Sequence, residues 1–302
     1  LIGTVSAIYR GMGEMQFPAA VMIFNALVQI PLSGCLILGW MGLPALGISG
    51  AAISAVVSAA ILCVPLFLRL VKSNFPVHLR RSAMRFSKSD FNDILQVALP
   101  GSLSPLLTIA TVLVLTAFVA TFGEAALAGY GIGSRIEFLI IPLVFGLGAA
   151  MTSAVGVSVG AGDLGRAERL GRVGGLSAGL VAGLVGIVLA LFPDAWIGAF
   201  TDVPAVHAAA KGYIQIVGPF FFFHGLGLSL YFASQGASAM SWPVWATVLR
   251  VVVAALGAYA LAFVLGFGLS GIYIAAAGAM LTYAVVIVVA IRAGAWRRAN
   301  KI

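Results

Sequence analysis

The sequence predicts an all-α, polytopic membrane helix bundle, and three observations carry that prediction. Hydrophobic residues make up 62% of the 302-residue chain and charged residues only 9%, against roughly 25% charged in an average soluble domain. The apolar residues form continuous runs long enough to cross a hydrocarbon core of about 30 Å as helices of about 20 residues, and they lack the period-two alternation of a membrane barrel. Third, one phrase is written twice. Arg10-Gly11-Met12-Gly13-Glu14-Met15-Gln16-Phe17-Pro18, an apolar run and Gly47-Ile48-Ser49-Gly50 return as Gln235-Gly236-Ala237-Ser238-Ala239-Met240-Ser241-Trp242-Pro243, an apolar run and Gly268-Leu269-Ser270-Gly271. The offset is 225 residues at the first motif and 221 at the second, so less than one and a half periods are present. A duplicated protein whose first copy is truncated is the expectation, and Leu1 in place of an initiator Met agrees with it.

Eight apolar segments can be marked, at about 18–39, 50–71, 94–121, 136–160, 173–193, 209–234, 243–266 and 271–291, with residues 1–9 read as the tail of a ninth helix. Gly is abundant, with 37 residues, and small side chains let membrane helices approach closely; Gly146, Gly148, Gly156 and Gly160 in one segment fit that use. Pro65, Pro100, Pro105, Pro142 and Pro219 lie inside or near spans, where each either places a hinge or is tolerated because neighbours re-satisfy the freed backbone. Cys35 and Cys63 both fall in apolar segments and suggest packing, with neither a disulfide framework nor a metal cluster.

The net charge of +8 reads as a topology signal and not as a nucleic-acid surface. Arg69, Lys72, Arg80, Arg81, Arg85 and Lys88 fall in one connection, Arg166, Arg169 and Arg172 in another, and Arg292, Arg297, Arg298 and Lys301 at the C-terminus; alternation puts all three sets on one side. The intervening connections carry one Lys and no Arg. The positive-inside rule makes the basic side cytoplasmic and gives acidic lipid headgroups as its partners. The expected organisation is residues 1–72 as the remainder of an N-terminal lobe, 73–93 as a cytoplasmic linker and 94–302 as a C-terminal lobe with a basic tail. Ser89 or Asp90 can cap the helix that follows the linker.

Ionisable side chains inside a membrane cost about 2.5–3.5 kcal/mol each on insertion scales, so they are functional candidates. Arg250 lies seven residues past Pro243, about 10 Å into its span at 1.5 Å per residue. It either faces a cavity or carboxylate, or snorkels to the interface. Glu137, two residues after Arg135 at the start of a span, is either a proton-carrying group or an interfacial one. Asn25 and Gln29 share one helical face and offer two amides to a ligand, a cation or a neighbouring helix. His224, after Phe220-Phe221-Phe222-Phe223, is a candidate relay or a packed histidine. By the repeat offset Asn25 and Arg250 are equivalent. No nucleotide-binding GxxxxGK[ST], HExxH or CxxC pattern occurs, and the chain has three His and nine acidic residues. An ATP-driven pump within this chain is excluded, and an intramembrane enzyme is disfavoured.

Tyr9-Arg10-Gly11-Met12-Gly13 before Pro18, Gly47-Ile48-Ser49-Gly50-Ala51-Ala52, Leu99-Pro100, Gly133-Ser134-Arg135-Ile136-Glu137 and Gly156-Val157-Ser158-Val159-Gly160-Ala161-Gly162-Asp163 with Arg166-Ala167 together resemble the multidrug and toxic compound extrusion (MATE) family. The resemblance covers essentially the whole chain. It implies two pseudo-symmetric six-helix lobes about a central cavity, of which this chain holds the end of helix four, helices five and six, and helices seven to twelve. It further implies export of organic, cationic or amphipathic compounds in exchange for H+ or Na+, with no cofactor. On the same reading the protein is a multi-pass inner-membrane monomer when full length, with a cytoplasmic C-terminus, small organic substrates and lipids as partners and no nucleic acid. The acidic positions that some members carry on helices seven and ten are taken here by Thr108 and the neighbourhood of His224. Asn25 matches a first-lobe cation position, where Gln29 stands one turn on in place of an acid. Asn25, Gln29, Glu137, His224 and Arg250 are therefore the candidate substrate or ion-pathway residues. The alternatives are a lipid-linked sugar flippase or polysaccharide exporter of the same superfamily, and a non-transporting fragment.

Overall fold

The computed structural model describes residues 2–14, 16–42, 44–71 and 87–299. All regular structure among these is helical: α1 (Ile2–Gly11), α2 (Gln16–Leu38), α3 (Ile48–Val71), α4 (Lys88–Ala120), α5 (Glu124–Gly160), α6 (Leu164–Leu191), α7 (Pro193–Ile197), α8 (Pro204–Val217), α9 (Phe221–Gly236), α10 (Ser241–Tyr259), α11 (Gly268–Arg292) and α12 (Ala295–Ala299). Eight stretches are long and apolar enough to span a membrane: α2, α3, α4, α5, α6, Pro204–Gly236, Ser241–Val264 and α11. Their number and order follow the sequence pattern. Most of the expected 73–93 linker, with Arg80, Arg81 and Arg85, lies outside the described residues, as do Met15, Lys72 and Lys301.

The chain divides into two compact units, Leu1–Lys88 and Ser89–Ile302. In the first, α1, α2 and α3 enclose a small core of Val5, Tyr9, Val21, Leu62, Leu66 and Leu70. The Tyr9 hydroxyl donates to the Leu66 carbonyl at 2.8 Å, tying α1 to α3. At the same end Arg69 pairs with Glu14 at 2.6 Å and lies 4.2 Å from the centroid of the Phe17 ring, so an ion pair and a cation–π contact hold the turn between α1 and α2 against α3.

In the second unit the tightest packing is between α6 and α9, with α5 against α8 and α9 and α11 against α10. The α6–α9 seam is made of backbone: a β-carbon on Gly225 would meet the Ala178 carbonyl, one on Gly179 the Phe222 carbonyl, and one on Gly186 the Gly218 carbonyl. Only glycine admits such approach, which is how small residues let membrane helices pack. On α5, Gly148 abuts Phe232 and Gly156 abuts the Gly236 backbone, whereas Gly146 and Gly160 meet nothing within 4 Å; two of the four predicted packing glycines serve that role here.

Three expected boundaries move. The fourth span starts at Glu124 and not near residue 136, because Gly129 and Gly133 are helix residues packed on Ala209 and Tyr213 of α8. The fifth starts at Leu164, where the Asp163 carboxylate accepts from the Arg166 backbone N–H at 2.8 Å and satisfies a free donor of the first turn; Arg166, Arg169 and Arg172 thus lie on a helix and not in a connection. Between 194 and 211 the chain forms α7 and the start of α8, and the sixth span is broken at Gly218–Phe220 by a single tighter 3₁₀ turn containing Pro219. The remaining prolines sit inside unbroken helices, Pro65 in α3, Pro100 and Pro105 in α4 and Pro142 in α5.

The repeated phrase is repeated in backbone geometry. After α1, the Gly13 N–H donates to the Arg10 carbonyl at 3.0 Å and the Glu14 N–H to the Tyr9 carbonyl at 3.0 Å. After α9, the Ser238 N–H donates to the Gln235 carbonyl at 3.0 Å and the Ala239 N–H to the Ser234 carbonyl at 2.9 Å. Both are the paired bonds of a Schellman helix end, and the pivot residues both take positive φ, 80° at Gly13 and 53° at Ser238.

Candidate functional site

The polar side chains predicted from sequence separate into two groups. In the first unit Asn25 and Gln29 lie on α2, half-buried, and the Asn25 amide Nδ2 donates to Gln29 Oε1 at 3.3 Å. The bond closes one turn of one helix and is not the interhelical bond that was one of the expected roles. Among the described residues Asn25 Oδ1 has no hydrogen-bond donor.

The second unit gathers the other three. Glu137 lies thirteen residues into α5, half-buried, and accepts a hydrogen bond from the Tyr213 hydroxyl of α8. It is therefore not at the mouth of its span, as its assumed start had suggested. Arg135, on the exposed side of α5, stacks its guanidinium 5.2 Å from the Phe200 centroid instead. Arg250 on α10 is 6% exposed; its guanidinium stands 5.6 Å from the centroid of Tyr283 on α11, and among the described residues its Nε has no acceptor. His224 on α9 is 4% exposed, with no hydrogen-bond partner to either ring nitrogen among the described residues. Glu137, His224 and Arg250 thus lie on three different helices of the same unit, the last two of them buried.

Tyrosines build the walls between them, and sequence reasoning passed over these. Tyr213 stacks edge-on against Tyr130 at 5.4 Å and Tyr273 at 5.2 Å between centroids, and the Tyr273 hydroxyl donates to the Ala209 carbonyl at 3.3 Å. Gly133 makes room for the Tyr213 ring: a β-carbon there would overlap it. The available signal was that Tyr130, Tyr213, Tyr273 and Tyr283 are tyrosines in spans otherwise filled by Phe, Leu and Val, and a buried Tyr hydroxyl calls for a partner. Thr108, which stands where an acid was sought, turns its hydroxyl to the Ser104 carbonyl at 2.9 Å, an internal bond of α4. Among the described residues no group of three or more His, Cys, Asp or Glu side chains could hold a metal ion.

The profile of the MatE family matches residues 100–260, a stretch that holds Glu137, Tyr213, His224 and Arg250. The chain belongs to the MatE family. Two MatE relatives show its reach. The chain is 28% identical over 260 residues to a probable multidrug resistance protein NorM of Thermotoga maritima, a match covering 85% of this chain and 55% of that protein. It is 26% identical over 265 residues to a FAD transporter of Shewanella oneidensis, covering 83% of this chain and 56% of that one. The chain thus spans little more than half the length of these curated relatives. Its fold matches a solved outward-facing multidrug resistance MATE family transporter of the MOP superfamily with a TM-score of 0.88 at 22% identity, over 98% of this chain and 66% of the other. As a MatE chain it is a multi-pass membrane protein of a transporter family.

Proposed function

We propose that this chain forms the larger part of a secondary active exporter that moves organic, cationic or amphipathic compounds outward in exchange for H+ or Na+. The observation that carries the proposal is the set of ionisable side chains inside the apolar helices of the MatE-matching region, Glu137 held by Tyr213 and the buried Arg250 and His224. A carboxylate on a membrane helix is costly to bury, and its charge can be changed by a proton or offset by a cation. Glu137 is the group through which a gradient is coupled, Tyr213 holds its carboxylate in place, and Arg250 sets the potential that a substrate charge meets. Asn25 and Gln29 line the pathway of the other lobe. The lobes rock against one another so that the site opens to each side in turn. The organisation is that of two lobes joined by a 73–93 linker, working as a monomer in the cell membrane, with the arginine-rich ends and the C-terminus in the cytoplasm.

Dye efflux from cells expressing the full-length protein tests this. Gradient-dependent export of a cationic or amphipathic dye, abolished by Glu137→Gln, is expected; no efflux of any such dye would sink the reading.

A second reading has its own observation. Arg250 is buried without a carboxylate in direct contact and lies beside tyrosine rings, a setting for an anionic substrate with a flat aromatic part, the chemistry carried by the name of the Shewanella oneidensis relative. Export of a flavin nucleotide that survives Glu137→Gln but is lost with Arg250→Gln would replace the first reading with this one.

A further inference from the structure

A groove of the second unit is lined by neither Glu137 nor Arg250. About 510 Å³ in volume, it is lined by Glu168, Arg172 and Leu176 of α6, Leu226 and Leu230 of α9, and Val288, Ile291 and Arg292 of α11. Its floor and walls are leucine, valine and isoleucine; its charges are confined to one rim. The rim's only acid is already satisfied. Arg297 of α12 grips Glu168 with Nε and a terminal nitrogen, both at 2.8 Å, a bidentate pair that raises the Arg297 guanidinium further above its usual value. Trp296, 1% exposed, anchors the same short helix by donating from Nε1 to the Ser234 hydroxyl at 3.1 Å. With Glu168 occupied, Arg172 and Arg292 face the groove with no carboxylate partner among the described residues. Arg172 lies two turns into α6 and Arg292 ends α11, the levels at which a lipid phosphate sits when these helices span a bilayer.

The geometry points to a binding site for one anionic phospholipid, its phosphate held by Arg172 and Arg292 and one acyl chain laid along Leu176, Leu226, Leu230, Val288 and Ile291. The volume lies within the range of about 300–1,000 Å³ typical of small-molecule sites, and a guanidinium pair suits a phosphate better than ammonium groups do. A free phosphate ion would leave the apolar length of the groove unused, and a zwitterionic lipid would bring a second positive charge to a rim that is already cationic. This inference stands apart from the transport reading, since neither Glu137 nor Arg250 contributes to it.

The test is native mass spectrometry of the 302-residue chain in detergent, titrated with phosphatidylglycerol or phosphatidylcholine of the same chains. Retention of one phosphatidylglycerol with a preference on the order of tenfold is expected, and inorganic phosphate in excess should leave it in place. The Arg172→Gln/Arg292→Gln pair should lose the preference, while Arg166→Gln/Arg169→Gln, which removes the same charge from the same end of α6 outside the groove, should keep it. Leu226→Trp, which fills the groove and leaves the rim charged, should also lose the lipid. Equal retention of the two lipids, displacement by phosphate, or equal loss in the two arginine pairs would overturn the proposal.

Discussion

The helices α2 and α10 are the same element in two copies, and they carry opposite chemistry. Each follows a Schellman turn with a positive-φ pivot, and Asn25 and Arg250 each stand nine residues after the first residue of their helix. In the first copy that position holds a neutral amide whose partner is Gln29, one turn along the same helix. In the second it holds a buried cation facing Tyr283 on another helix. Duplication kept the backbone and released the side chains. Backbone geometry is set by local turn chemistry that either copy can satisfy alone, whereas a buried charge is tolerated only where neighbouring helices compensate it.

The comparison can be broken most directly at the charged side chains. In the full-length protein, Glu137→Gln and Arg250→Gln are each expected to lower transport by about tenfold or more, since ionisable side chains within membrane helices are costly and functional, whereas Asn25→Ala, which removes a neutral bond within one helix, should lower it by less than about threefold. Initial rates of efflux under a fixed gradient give the ranking. Equal effects in the two copies would mean that the amide and the guanidinium do the same work.

Next in size are the glycines of the turn itself. A β-carbon on Gly236 would drive into the Thr152 carbonyl of α5, whereas its counterpart Gly11 has nothing within 4 Å. Gly236→Ala is therefore expected to destabilise by about 2–3 kcal/mol through overpacking, and Gly11→Ala to stay within about 1 kcal/mol of the parent, read from unfolding of the chain in detergent. One turn further on, the copies should agree. Gly50 stands against the Leu36 backbone and Gly271 against the Leu261 and Ala262 backbone, so alanine at either should cost about 1–3 kcal/mol. The smallest effect is at the pivots. Ser238 holds a left-handed conformation that Gly13 adopts freely, and Ser238→Gly should stabilise by about 1 kcal/mol, with Gly13→Ser destabilising by a similar amount.

What could be read in the sequence follows the same division. Continuous apolar runs gave the eight spans because burial in lipid constrains every residue of a crossing, and the repeat gave the matched turns because Gly13 and the Gly47 and Gly268 positions leave a mark that composition shows. Boundaries were misplaced where helix continues past the apolar stretch: residues 124–135 fall outside the marked span until α8 is laid against Gly129 and Gly133, and Arg166, Arg169 and Arg172 look like a connection until Asp163 caps their helix. Of the site, the ionisable residues stood out as exceptions in an apolar background. Their partners did not, because the meeting of Glu137 with Tyr213 depends on how α5 and α8 pack, and that of Arg250 with Tyr283 on how α10 and α11 pack. The tyrosines were passed over because a buried Tyr is apolar by composition and polar only through its hydroxyl.

The glycine seam between α6 and α9 has an evolutionary consequence. Where two main chains touch through Gly179, Gly186 and Gly225, no single substitution is neutral, for any side chain on one helix displaces the carbonyl of the other. A relative that carries alanine in place of Gly186 must have drawn back the segment around Gly218, and with it the break that divides α8 from α9. A change along this seam therefore calls for a compensating shift of the facing segment, a constraint that the exposed Leu180 and Leu184 of the same helix escape.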